Sequence, residues 1–187
     1  RASEASASAR ILGVSVRENL ALRDGFFQND PDSQKILIRA IRKYQPDIVL
    51  ANAIHDRHID HGKGASPAYV ASFLSGLEKI RTEHAGLDQP LWRPRPVCHF
   101  IQSQLIEPDF IVDVTGYWDI KMQAIRAFKT QFFDPGSSEP ETYISKPGFM
   151  KMVESRGIEF GHAIGTDYGE GFTVRRYPGV ESLFDLI

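Results

Sequence analysis

Apolar and polar positions switch between two periods along the chain, and the switches mark its elements. Leu37, Ala40, Ile41 and Tyr44 recur at helical spacing among charged residues, which predicts an amphipathic helix over 31–44. Asp30 suits its N-cap, Pro31 its first position and Pro46 its end. Asp47-Ile48-Val49-Leu50-Ala51 abandons that period. A short, nearly continuous apolar run between two helices reads as a buried parallel strand. Val14–Leu20, Val97–Ile101 and Phe110–Val114 are further strand candidates, with another at Phe172–Arg175. Helices are predicted from about Ser66-Pro67, with Val70, Phe73, Leu74 and Leu77 on one face, along Trp118, Met122, Ile125, Phe128 and Phe132, and over 147–165. Residues 134–142, rich in Pro, Gly, Ser and Glu, read as a surface loop, and Phe26, Phe27, Trp118 and Phe128 as core. At the start, small helix-compatible residues lead to Ile11-Leu12-Gly13, the pattern of a helix end with glycine just beyond it. A chain that opens in this way, without methionine, reads as a fragment entered in mid-helix.

Strands alternating with helices imply an α/β fold with a largely parallel sheet, in one domain over 1–187. In such sheets ligands bind beyond the carboxyl ends of strands. The strand at 47–51 runs directly into His55-Asp56-Arg57-His58-Ile59-Asp60-His61-Gly62, which holds three of the chain's six histidines. Imidazole is a common zinc ligand, and its second nitrogen needs a partner to fix the tautomer. An H-x-x-H pair offers two ligands, or one ligand and one catalytic group. The remaining histidines carry less: His99 reads as a satisfied structural histidine inside a strand, and His84 and His162 as surface or helix residues.

Composition narrows the chemistry. A net charge of −2 gives no electrostatic reason to expect nucleic acid or an anionic membrane as partner. No apolar run reaches the roughly 18 residues that span a bilayer. The single cysteine, Cys98, forms no internal disulfide, which makes a reducing cytoplasm the default, and it excludes a zinc site built mainly of thiolates. A nucleotide site would need a glycine-rich turn between strand and helix. The nearest stretch, Gly165-Thr166-Asp167-Tyr168-Gly169-Glu170-Gly171, has the wrong spacing.

The stretch Ile48–Gly62 resembles the second motif of the LmbE/PIG-L deacetylases, Arg-His-x-Asp-His. Val16-Arg17-Glu18-Asn19-Leu20, Asp24-Gly25-Phe26-Phe27, Phe100-Ile101-Gln102-Ser103, Phe132-Phe133-Asp134-Pro135, Glu141-Thr142-Tyr143-Ile144-Ser145, Tyr168-Gly169-Glu170-Gly171-Phe172 and Leu183-Phe184-Asp185 are similar to its bacillithiol-biosynthesis branch, in the same order over nearly the whole chain. That branch removes acetate from N-acetylglucosaminyl-malate. The resemblance implies a Rossmann-like three-layer sandwich and a zinc-dependent N-acetylglucosamine-type deacetylase. It also implies a small soluble substrate and a homo-oligomer, possibly a hexamer. It implies that His61 binds Zn2+ and that His58 polarises the amide carbonyl or stabilises the oxyanion. Asp60 would orient and charge His58, Arg57 would line the substrate pocket, and Tyr168 and Glu170 would lie near that pocket. The other two ligands and the general base belong, in the family, to an early His-Pro-Asp-Asp motif that this sequence does not contain. A first strand–helix unit of about 30 or more residues is therefore expected upstream. Isoleucine at 59 replaces a proline frequent in the family, without removing a chemical group. Two other readings stay open: another N-acetylglucosamine-containing substrate, and a non-catalytic relative without the metal site.

Overall fold

In a computed structural model, residues 1–132 and 141–186 are described. The predicted loop at 134–142 and the Phe132–Pro135 block therefore lie largely outside the described residues. The elements are α1 (Ala2–Ile11), α2 (Pro31–Tyr44), β1 (Val49–Ala51), α3 (Ile59–Leu74), β2 (Glu83–His84), β3 (Leu87–Asp88), β4 (Val97–Phe100), β5 (Phe110–Asp113), α4 (Trp118–Arg126), α5 (Pro147–Ala163) and β6 (Gly169–Val174). The main sheet has the order β1-β4-β6-β5, and β2 and β3 form a separate hairpin. β1 pairs in parallel with β4, setting Val49 opposite Val97 and Ala51 opposite His99. β6 runs antiparallel to β4. The sheet is mixed within an α/β fold. The chain divides into two compact units, residues 1–19 with 111–170 and residues 20–110 with 171–187, and the division falls inside β5 and β6.

The second unit is built on α2 and α3. The Asp30 carboxylate accepts the Ser33 N–H at 2.8 Å, Pro31 opens α2, and Gln45 ends it in the left-handed region at φ 48°. Ile38, Ile41 and Ala71 form the buried centre, with Leu37, Leu74, Ile80 and Trp92 against them. Arg42 is buried beside this core. Its guanidinium donates to the Ser75 carbonyl (2.9 Å), the Thr82 hydroxyl (2.9 Å) and the Leu77 carbonyl (3.0 Å). Replacing Arg42 with leucine removes a charged donor from all three acceptors. The expected loss is about 2–4 kcal/mol in urea unfolding.

Several expectations are corrected here. α3 begins at Ile59, seven residues before Ser66, so His61 stands on its first turn and not in a loop. Its start is hidden in the sequence by Gly62 and Gly64, both poor helix formers. Their lack of a side chain is used. A Cβ at Gly64 would lie 3.1 Å from Asn52 Oδ1, and one at Gly62 would lie 3.2 Å from the Ile54 carbonyl. Phe73 is not on the core face; it is exposed beneath the Arg93 guanidinium at 4.3 Å. Leu50 is 53% exposed, so β1 is covered on one face only. Val14–Leu20 forms no strand: it is irregular, with Val14 and Val16 exposed. Phe26 is exposed, not core.

In the first unit, α1 closes as a Schellman motif: Val14 N–H donates to the Ala9 carbonyl (2.9 Å), Gly13 N–H to Arg10 (3.2 Å), and Gly13 has φ +68°. The predicted helix at 118–132 is shorter, ending at Arg126. Gly169 and Gly171 lie within β6. At Gly169 the need is close packing: a Cβ there would meet the Gly161 nitrogen and Ile111 Cγ2 at 2.8 Å.

Candidate active site

Parallel pairing of β1 with β4 brings the carboxyl ends of both strands side by side. The chains leaving them are bonded together. His99, buried in β4, contacts the Asn52 carbonyl through Nδ1 at 2.9 Å; Ala53 N–H donates to Gln102 Oε1 at 3.1 Å. Gln104 N–H donates to Asp56 Oδ1 at 2.6 Å. Burial holds His99 below the usual imidazole range, so it is neutral and donates from Nδ1. Its Nε2 has no partner among the described residues, so this histidine is only half satisfied.

The other Asp56 oxygen, Oδ2, meets His61 Nδ1. Burial pushes the Asp56 carboxyl up. The N–H groups of Gln104 and Arg57 and the His61 ring outweigh that and hold it below its ordinary value. An ionised Asp56 accepts only, so His61 carries its proton on Nδ1 and keeps the Nε2 lone pair. His58 has the opposite assignment. It caps α3 with its side chain: His58 Nδ1 accepts the Asp60 N–H at 3.2 Å, which leaves a neutral ring protonated on Nε2. The two rings lie 5.3 Å apart, centroid to centroid. One therefore offers a lone pair and the other a donor.

The Asp60 backbone N–H donates to His58 Nδ1. The carboxylate is buried and accepts the Gly25 N–H at 2.7 Å; that bond chiefly holds its pKa down, with a side-chain hydrogen bond to Asp24 and the charge of Lys63 adding to it. Lys63 Nζ donates to the Gly25 carbonyl at 3.0 Å. Arg57 is exposed in the loop before His58. Tyr168 and Glu170 belong to the first unit. There Tyr168 stacks on Trp118 at 4.3 Å, and Glu170 pairs with Lys121. His84 and His162 are exposed, as expected. Sequence reading missed Asp56, Gln104, Gly25 and Lys63 as parts of this site. No group of three His, Cys, Asp or Glu side chains among the described residues is arranged to hold a metal.

Ile59 is the first residue of α3, and His58 before it is extended at φ −86°, ψ 126°. Both conditions suit proline, whose missing N–H costs nothing at this position. Ile59→Pro is expected to stabilise by about 0.4–1 kcal/mol, a rise in Tm of about 1–4 °C read by thermal unfolding.

Residues 1–71 match the PIG-L family, described as GlcNAc-PI de-N-acetylase. The chain is 26% identical over 189 residues to the diacetylchitobiose deacetylase of Thermococcus kodakarensis, covering 96% of this chain and 63% of that protein. It is 30% identical over 177 residues to the 4-oxalmesaconate hydratase of Pseudomonas putida, covering 91% of this chain and 64% of that protein. A conserved protein from Thermus thermophilus superposes with a TM-score of 0.82 at 26% identity, over 96% of this chain and 74% of that one. The chain thus spans less than two thirds of the length of these two curated relatives.

Proposed function

We propose that this chain contributes the donor and one metal ligand to the hydrolytic centre of a PIG-L-type, zinc-dependent N-acetylglucosamine deacetylase. The observation that carries the reading is that the Asp56 carboxylate faces Nδ1 of His61 while the Asp60 N–H faces Nδ1 of His58, from which we infer opposite tautomers for the two neighbouring rings. The Asp56–His61 pair fits a zinc ligand, because a carboxylate on Nδ1 orients the ring and raises the basicity of Nε2. His61 is then one ligand of a set completed outside the described residues. Zinc, when bound, supplies Lewis acidity toward water and the amide carbonyl.

His58 contributes a different function. Its Nε2–H donates to the amide oxygen as negative charge develops there, an interaction that is stronger in the transition state than in the ground state. The N-cap bond fixes this donor before substrate arrives, so no reorganisation is needed during the reaction. Arg57, Tyr168 and Glu170 are proposed as substrate contacts. The substrate is an N-acetylglucosaminyl compound, with N-acetylglucosaminyl-malate and the disaccharide N,N′-diacetylchitobiose as the two specific alternatives. A cytoplasmic homo-oligomer, of up to six copies, completes the proposal. No helix among the described residues is long and apolar enough to cross a membrane.

The hydratase relative supports a second reading, addition of water to a carbon–carbon double bond on the same scaffold. One experiment separates the two. The zinc-loaded protein is incubated with both N-acetylglucosaminyl substrates and with 4-oxalmesaconate. Acetate release from a sugar supports the deacetylase. Loss of the conjugated acid's absorbance without acetate release would replace it with the hydratase.

A further inference from the structure

Asp60 and Lys63 hold both backbone polar groups of one residue, Gly25, in a distant segment. Gly25 N–H donates to Asp60 Oδ2 at 2.7 Å, and its carbonyl accepts from Lys63 Nζ at 3.0 Å. Around Gly25 the chain closes a tight turn, with the N–H groups of Phe26 and Phe27 both donating to the Arg23 carbonyl at 3.0 and 2.9 Å. Gly25 has φ +73°, a conformation that glycine takes without strain. The turn is thus pinned to the first turn of α3, on the residue whose N–H caps against His58.

This pinned turn presents an aromatic ring to solvent. Phe26 is 67% exposed. Its ring carries the Arg23 guanidinium 4.5 Å from its centroid, which covers one face and leaves the other open. Single exposed apolar side chains are ordinary on protein surfaces. Phe26 differs in being held by four hydrogen bonds and a cation–π contact next to a candidate catalytic residue. Beside the turn, the buried Asp60 carboxylate also has the Asp24 side chain as a hydrogen-bond partner.

We propose that the open face of Phe26 is the stacking platform for a pyranose ring of the substrate, with Arg23 fixing the angle of the platform. The C–H-bearing face of a pyranose is flat and apolar and packs on an aromatic ring, while its hydroxyls point outward to donors such as Arg23. The assignment of the ligand as a sugar rests on the deacetylase reading; the exposed, pinned aromatic does not.

The test is binding of N,N′-diacetylchitobiose by isothermal titration calorimetry to the wild type and to Phe26→Ala, Phe26→Leu and Phe26→Trp. Alanine and leucine are expected to weaken binding about three- to tenfold, and tryptophan to hold or tighten it. Leucine keeps the apolar bulk without the aromatic face, so wild-type affinity in Phe26→Leu would overturn stacking. Unchanged affinity in Phe26→Ala would overturn the platform altogether. So would a wild type that binds neither this disaccharide nor N-acetylglucosamine. Acetate release, measured separately, keeps the two claims apart. A wild type that binds the disaccharide through Phe26 but releases no acetate rejects the deacetylase and leaves the platform standing.

Discussion

Replacing His58 with asparagine is expected to lower kcat about 100- to 1,000-fold, the usual cost of removing one oxyanion donor. Asparagine is the informative choice because its side-chain oxygen caps a helix as His58 Nδ1 now does. The start of α3 is then kept while the Nε2–H is lost. Alanine would remove both, and a loss of activity could reflect a displaced His61. KM and zinc content should change little in His58→Asn. Loss of zinc in this variant would make His58 a ligand and refute its role as donor. Steady-state kinetics with metal analysis on the same preparation reads all three quantities.

The second large effect is expected at Asp56, which touches neither metal nor substrate in this account. Asp56 accepts from Gln104 N–H and from His61 Nδ1–H with its two oxygens. Asparagine has one oxygen. If that oxygen stays on Gln104, the amide NH2 faces His61 and drives its proton to Nε2, which blocks the lone pair. If it turns to His61, an N–H faces an N–H at Gln104. Either way the ligand is impaired, and Asp56→Asn should weaken zinc about 10- to 100-fold, measured by competition with a chelator. Activity should fall at limiting zinc and recover in excess. Wild-type zinc affinity in this variant would remove Asp56 from the site.

How far the sequence carried this picture depended on whether a signal was local. Asp30, Pro31 and the spacing of Leu37, Ile41 and Tyr44 place α2 to the residue, because caps and a 3.6-residue period are written in adjacent positions. β1 and its following histidines were legible for the same reason. The start of α3 was not, since Gly62, Gly64 and the internal Pro67 oppose helix locally, and the close approach to Asn52 and Ile54 that the glycines permit is tertiary. That error hid the Asp56–His61 pair. A separation of five residues matches no period until the helix is known to begin between them. The bond from Gly25 to Asp60 was not legible because the two residues lie 35 positions apart. Phe26 read as core because hydrophobicity alone does not distinguish a buried ring from one held outward on a pinned turn.

The most direct test of the account is the protonation of the two imidazoles in metal-free protein, read by long-range 1H–15N NMR correlation on the histidine rings. Spectra recorded at rising pH isolate the neutral rings, whose tautomers can then be assigned. The predicted result is opposite tautomers: the proton on Nε2 in His58 and on Nδ1 in His61. If both rings carry the proton on the same nitrogen, the division into donor and ligand is wrong, and the proposed hydrolytic centre loses the observation on which it stands.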